Sequence, residues 1–248
     1  MVARRKRMHK KLPFRKIVPN MITSGNMLCG MLSIVLTFHG QYVPAALLVY
    51  IAMVFDYLDG DMARRLGGSS EFGMELDSLA DVVSFGVAPA VLLYSVYLQG
   101  FWSVTGALVA AFFALCGALR LARFNVHHVS GSFQGLPIPA AGHFVVSFVF
   151  AGIALPAWLM SLVTVGTGLL MISSVPFGNL KTLKKGNLNK VRAFALLGVV
   201  FTLVVVLRQS ALLAGISIYI ASGFLHFDWG KWLSLDSESE DYLEHRNT

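Results

Sequence analysis

The chain has 248 residues, of which 56% are hydrophobic and 13% charged, with a mean hydropathy of +0.67. A soluble domain carries charge on about a quarter of its residues, so this composition excludes one and requires apolar surface facing lipid. The net charge of +7 crowds directly ahead of the first apolar stretch, which assigns it to an anionic lipid surface rather than to nucleic acid.

Residues 1–18 form a basic amphipathic juxtamembrane segment holding Arg4, Arg5, Lys6, Arg7, Lys10, Lys11, Arg15 and Lys16. No small-residue cleavage site clearly follows, so the first span is expected to be retained. Apolar stretches near 21–38, 42–64, 73–98, 102–122, 138–155, 157–176, 191–207 and 210–226 predict about eight spans. They make an all-α, polytopic transmembrane bundle over residues 19–228. The connections near 39–42, 98–102 and 155–157 hold no Lys or Arg. The opposite set holds Arg64, Arg65, Arg120, Arg123, Lys181, Lys184, Lys185, Lys190 and Arg192. The positive-inside rule places that set, and both termini, at the cytoplasmic face, with Arg208 the one basic residue opposite. Residues 229–248 are polar and acidic and are expected to be disordered. Cys29 and Cys116 sit in apolar runs without metal-type spacing and read as packing residues.

The second and third spans depart from the apolar rule. They read FDYLDGDMARRLGGSSEFGMELDSLADVVSFG, with Asp56 and Asp59 three apart and Asp77 and Asp81 four apart. Either spacing puts a pair on one helix face. Gly60, Ala63 and Arg64 continue the first stripe, and Gly73 precedes Asp77 by one turn. With a turn at Gly67–Ser70, two antiparallel helices would set all four carboxylates opposite one another. Each Asp costs about 2.5–3.5 kcal/mol at a helix centre, and the four repel one another. Divalent cations offset both terms. An oxygen-only ligand set without nearby His or Cys suits Mg2+ or Mn2+ rather than zinc. On these grounds alone, an ion or proton pathway through the membrane is a second reading.

The pattern D-x2-D-G-x2-A-R-x8-G-x3-D-x3-D, filled by Asp56, Asp59, Gly60, Ala63, Arg64, Gly73, Asp77 and Asp81, resembles the signature of the CDP-alcohol phosphotransferases. PNMITSGNMLCG at 19–30, LDSLADVVSFGVAPA at 76–90, LRLARFNV at 119–126 and FQGLPIPAAG at 133–142 are similar to the membrane-integral phosphatidylserine synthases within that family. The resemblance implies a six-helix core, a homodimer, and transfer of a phosphatidyl group from CDP-diacylglycerol to L-serine with release of CMP. It also implies two divalent ions, Mg2+ or Mn2+, held by Asp56, Asp59, Asp77 and Asp81, with Asp81 as general base.

By the same resemblance, Asn20, Thr23, Asp56, Gly60, Ala63, Arg64, Gly73 and Asp77 would contact the cytidine nucleotide. Arg120, Arg123 and Asn125 would serve the acceptor or a phosphate. Read from the residues alone, Gly60 and Ala63 could equally be helix packing. Arg64, Arg120 and Arg123 could be positive-inside anchors, and Asn20 and Thr23, at the start of the first span, could be N-caps. Asp61, Glu71, Glu75, Ser78, Ser84, His127 and His128 receive no role. Glycerol 3-phosphate and inositol phosphate stay open as acceptors, since either would use the same arginines.

Overall fold

The computed structural model describes residues 14–66, 70–100, 103–126, 135–175, 177, 192, 205–225 and 232. Every regular element among them is helical. The helices are α1 (Phe14–Phe38), α2 (Tyr42–Arg65), α3 (Glu71–Leu98), α4 (Ser103–Val126), α5 (Ile138–Phe150), α6 (Ala157–Ile172) and α7 (Ala211–Phe224), the last preceded by a 3-10 turn at Arg208–Ser210.

Among the described residues, five helical runs are long and apolar enough to cross a bilayer: Ile17–Phe38, Tyr42–Arg65, Glu71–Leu98, Val104–Val126 and Val205–Phe224. The chain is therefore an integral membrane protein. Large apolar side chains such as Leu28, Phe38, Leu108, Leu115 and Leu162 stay exposed on the outside of the bundle. That surface suits hydrocarbon, where only backbone satisfied within helices is tolerated.

The count of eight spans is only partly matched. The stretches expected to span at 138–155 and 157–176 form helices of 13 and 16 residues, short of the roughly 20 a bilayer needs. Helix α5 starts at Ile138, as expected, and ends early because Gly152 takes φ +65° and the Ile153 N–H turns back to the Phe148 carbonyl. The backbone ahead of α5 fixes its start. Gly135 has φ +80°, and a side chain there would sit 2.3 Å from the Met171 carbonyl, so only glycine fits. Gly135 and Leu136 donate to the carbonyls of Val175 and Leu170, which folds the Gly-Leu-Pro strip back against the end of α6. Pro137 then fixes the entry to α5. Most of the expected span at 191–207 lies outside the described residues, as do the turn at 67–69, the basic segment 1–13 and almost all of the acidic tail.

The first helix also begins earlier than expected. It starts at Phe14 and runs through Pro19, so Asn20 and Thr23 lie within its second and third turns. The capping reading of these two residues is thereby corrected. The helix continues past Pro19, which lies near its start and gives up one backbone hydrogen bond. Thr23 Oγ1 bonds the Pro19 carbonyl at 3.0 Å.

Helices α1 and α2 form an antiparallel pair against which α3 packs. The α1–α3 seam is tight: a side chain at Gly30 would meet Ser84 Cα at 2.8 Å, and Ser84 Oγ donates to the Asn26 carbonyl at 2.9 Å. Helix α3 widens into π-helical turns at Val82–Val87 and Tyr94–Leu98, the first directly after Asp81. Such turns recur at functional sites because they re-aim the following side chains. Phe85 in that turn is fully buried together with Leu92, Leu93, Phe113, Ile138 and Met160, which fixes α3 as the centre of the bundle.

Candidate active site

The C-terminal half of α2 and the N-terminal half of α3 converge beside α1. Ser70 caps α3, its Oγ accepting from the Gly73 N–H at 3.1 Å. This cap sets the helix start, and with it the phase that turns Asp77 toward α2. Ligand oxygens of Asp56, Asp59 and Asp77 lie within 4.8 Å of one another. The two predicted stripes therefore meet, bringing three carboxylates into one cluster.

Asp81 stands apart from that group. It lies one turn beyond Asp77, about 6 Å further along α3, and is 8% exposed. It still feels the charges of Asp56, Asp77 and Asp59, and Asn26 Nδ2 donates to its Oδ1 at 3.4 Å. The four acids are thus not equivalent: three share one focus, and the fourth is held separately beside Asn26.

Beside the cluster lies a cavity of about 290 Å3 lined by Asn20, Thr23, Asp59, Gly60, Ala63, Arg64, Gly73 and Asp77 among others. Seven of the eight residues expected at the nucleotide line this one space; Asp56 instead joins the carboxylate focus. The small residues create the room. A side chain at Gly73 would approach Asn20 Oδ1 to 2.9 Å and Ser70 Oγ to 3.2 Å, and one at Gly60 would meet the Arg64 guanidinium at 3.4 Å. Arg64 is solvent-facing and leans on Asp61 at 3.7 Å, while Arg65 makes the closer pair with Asp61 at 2.6 Å. Asp61 therefore anchors both arginines at the end of α2, a role its position outside the stripe did not announce.

The acceptor candidates divide. Arg120 is buried at 7% exposure on α4, its Nε without a hydrogen-bond partner, and it lies within electrostatic reach of Asp81. Arg123 reaches the other way and donates to the carbonyls of Ile172 and Ser173 at 3.3 and 3.5 Å, closing the C-terminal end of α6. Asn125 Nδ2 donates to Ser78 Oγ at 3.1 Å, a cross-link between α4 and α3. Ser78 thus bonds a side chain across helices, and Ser84 bonds the Asn26 carbonyl of α1.

Asn26 was missed. It is fully buried, holds Asp81, and leaves its own Oδ1 without a partner. The available signal was an amide inside an apolar span, where an unpartnered polar group costs too much to stand without a purpose. Cys29 and Cys116 are buried free thiols, as expected.

The cluster suits a divalent cation on its own chemistry. It offers several carboxylates and no soft ligand, Asp59 is 5% exposed, and Asp59 Oδ2 has no hydrogen-bond partner. Hard cations take such oxygens. Among the described residues, the ion pairs of Arg64 and Arg65 go to Asp61 and leave this focus to other partners.

Residues 16–179 match the CDP-alcohol phosphatidyltransferase family. A CDP-diacylglycerol–serine O-phosphatidyltransferase from Bacillus subtilis is 39% identical over 178 residues, covering 71% of this chain and 97% of that relative. One of the same name from Helicobacter pylori is 35% identical over 230 residues, covering 88% of this chain and 92% of the relative. An archaetidylserine synthase from Methanothermobacter thermautotrophicus is 39% identical over 171 residues, covering 68% and 72%.

Proposed function

The chain belongs to the CDP-alcohol phosphatidyltransferase family, and from that premise we propose that this membrane enzyme transfers the phosphatidyl group of CDP-diacylglycerol to the hydroxyl of L-serine, releasing phosphatidylserine and CMP. The observation that carries this reading is the meeting of Asp56, Asp59 and Asp77 beside a cavity walled by Asn20, Thr23, Gly60, Ala63, Arg64 and Gly73. Relatives named for serine as acceptor supply the choice of alcohol.

In this reading Asp56, Asp59 and Asp77, together with Asp81, would hold two divalent ions, Mg2+ or Mn2+. When bound, such ions neutralise a diphosphate and stabilise a leaving CMP. The remaining work falls to the chain's own groups. Gly60, Ala63 and Gly73 let the nucleotide approach backbone closely, and Asn20 and Thr23 offer it side-chain polar atoms. Arg64 reaches a phosphate with a planar fork of donors. Asp81 accepts the proton of the attacking hydroxyl, and Asn26 fixes the carboxylate that does so. Arg120, buried near Asp81, is the group placed to meet the acceptor's carboxylate by a charge-assisted hydrogen bond. Asn125 positions α4 against α3, and Arg123 positions it against α6. The reaction takes place at the cytoplasmic face, with anionic lipids held by the basic segment and the bundle working as a homodimer.

A panel of acceptors tests the assignment. With CDP-diacylglycerol and metal supplied, CMP release is expected with L-serine and to stay near background with glycerol 3-phosphate and inositol phosphate. Labelled lipid formed with glycerol 3-phosphate and not with serine would refute serine as the acceptor.

A further inference from the structure

A donor whose diphosphate rests at the carboxylates also carries apolar chains, and the cavity beside α1 is walled by polar and small residues that offer them little. A second cavity, of about 680 Å3, lies between α2, α5 and α7. Its wall is mostly apolar, with Met53 from α2, Pro139 and Ala140 from α5, and Leu212, Gly215 and Ile216 from α7.

Three connections join this groove to the acids. Met53 precedes Asp56 by three residues, about 4.5 Å along α2. The ring of His143, which lines the groove, packs on Phe85 at 5.5 Å between centroids, and Phe85 follows Asp81 by one turn. Tyr219, on the α7 wall, neighbours Arg120, which in turn neighbours Asp81. The groove therefore begins about one turn from the carboxylates, on the side away from the end of α2. That is the direction the chains must take from a diphosphate held at the acids.

A separate observation points to the same ligand. Tyr50 and His143 both line the groove, their rings 5.0 Å apart, and Tyr50 Oη is buried without a hydrogen-bond partner. Buried polar atoms are almost always satisfied. An orphan hydroxyl on an apolar wall marks the place where a mainly apolar ligand brings a polar group. The acyl ester of a phospholipid lies a few bonds from its phosphate and has that character.

We infer that the groove between α2, α5 and α7 holds an acyl chain of the CDP-activated lipid, with the Tyr50–His143 pair at its ester linkage. This assignment rests on the phosphatidyl-transfer reading. A side chain at Gly215 meets nothing within 4 Å, and Leu212 is half exposed, so Gly215→Leu and Leu212→Trp fill the groove without displacing packed atoms. For each, the KM for dioleoyl CDP-diacylglycerol should rise about tenfold relative to that for dihexanoyl CDP-diacylglycerol, the effect of losing burial of about two methylenes. In the unaltered protein, a photoreactive group at the chain terminus of a CDP-lipid should label peptides of α5 and α7, and excess CDP-diacylglycerol should suppress the label.

An unchanged KM ratio in both variants would overturn the assignment. So would label spread evenly over the lipid-facing helices and insensitive to CDP-diacylglycerol, the pattern of a bulk membrane lipid. Failure of the unaltered protein to release CMP from either donor would remove the transferase reading and this assignment together, an outcome distinct from normal turnover with an unchanged ratio.

Discussion

Asp81→Asn should reduce the rate of CMP release by about a thousandfold, within the range for loss of a positioned general base and equivalent to about 4 kcal/mol of barrier. Binding of CDP-diacylglycerol should be largely retained. The asymmetry follows from position. Asp81 is set one turn beyond the three-carboxylate focus, held by Asn26 and close to Arg120, so removing its charge disturbs the acceptor side more than the nucleotide cavity. Asparagine keeps the shape and can still bond Asn26, which guards against simple misfolding. Single-turnover rates beside equilibrium binding of the donor separate the two quantities. Equal loss of both would contradict the assignment of Asp81 as base.

Asp59→Asn should behave differently, weakening donor binding and turnover together. Asp59 both belongs to the carboxylate focus and lines the cavity, so its loss removes one ligand from the cation site and charge from the wall the nucleotide meets. Loss of one carboxylate from a hard-cation site should weaken metal-dependent binding of the donor by about two orders of magnitude, comparable to losing a charged hydrogen-bonding partner worth about 3 kcal/mol. Titration of the donor at increasing Mn2+ checks this. A variant that binds normally at every metal concentration, and only turns over slowly, would move Asp59 out of the cation site.

The contrast between these two acids shows what was legible in the sequence. Spacings of three and four place Asp56 with Asp59, and Asp77 with Asp81, on helix faces, because helical geometry is local. The antiparallel meeting of the faces followed from a short connection, whereas Gly60, Ala63, Arg64 and Gly73 were placed beside the nucleotide only by the family resemblance. The separation of Asp81 from the other three was less visible, since it depends on how far α3 has climbed past the end of α2. The division of labour between Arg120 and Arg123 was hidden for a similar reason. Three residues apart on one helix, they turn to different neighbours, and only the position of α6 shows that Arg123 closes its end.

Hydropathy gave α5 and α6 more length than their helices have, because it registers apolar content, not backbone direction. Residues 151–155 are apolar enough to continue the span, yet the positive φ of Gly152 and the hydrogen bond from Ile153 to the Phe148 carbonyl spend them on a turn. The groove between α2, α5 and α7 had no sequence signal at all, since its walls come from three distant segments whose apolar residues look like any others facing lipid.

The most direct measurement of the account is equilibrium binding of CDP-diacylglycerol to the purified protein, first stripped of metal and then supplied with Mg2+ or Mn2+. Binding should be weak after chelation, return on addition of either ion, and be competed by CMP. Affinity that is the same with and without divalent ions, or no affinity for the cytidine lipid under any condition, would contradict the claim that the aspartates of α2 and α3 form a cation-dependent diphosphate site.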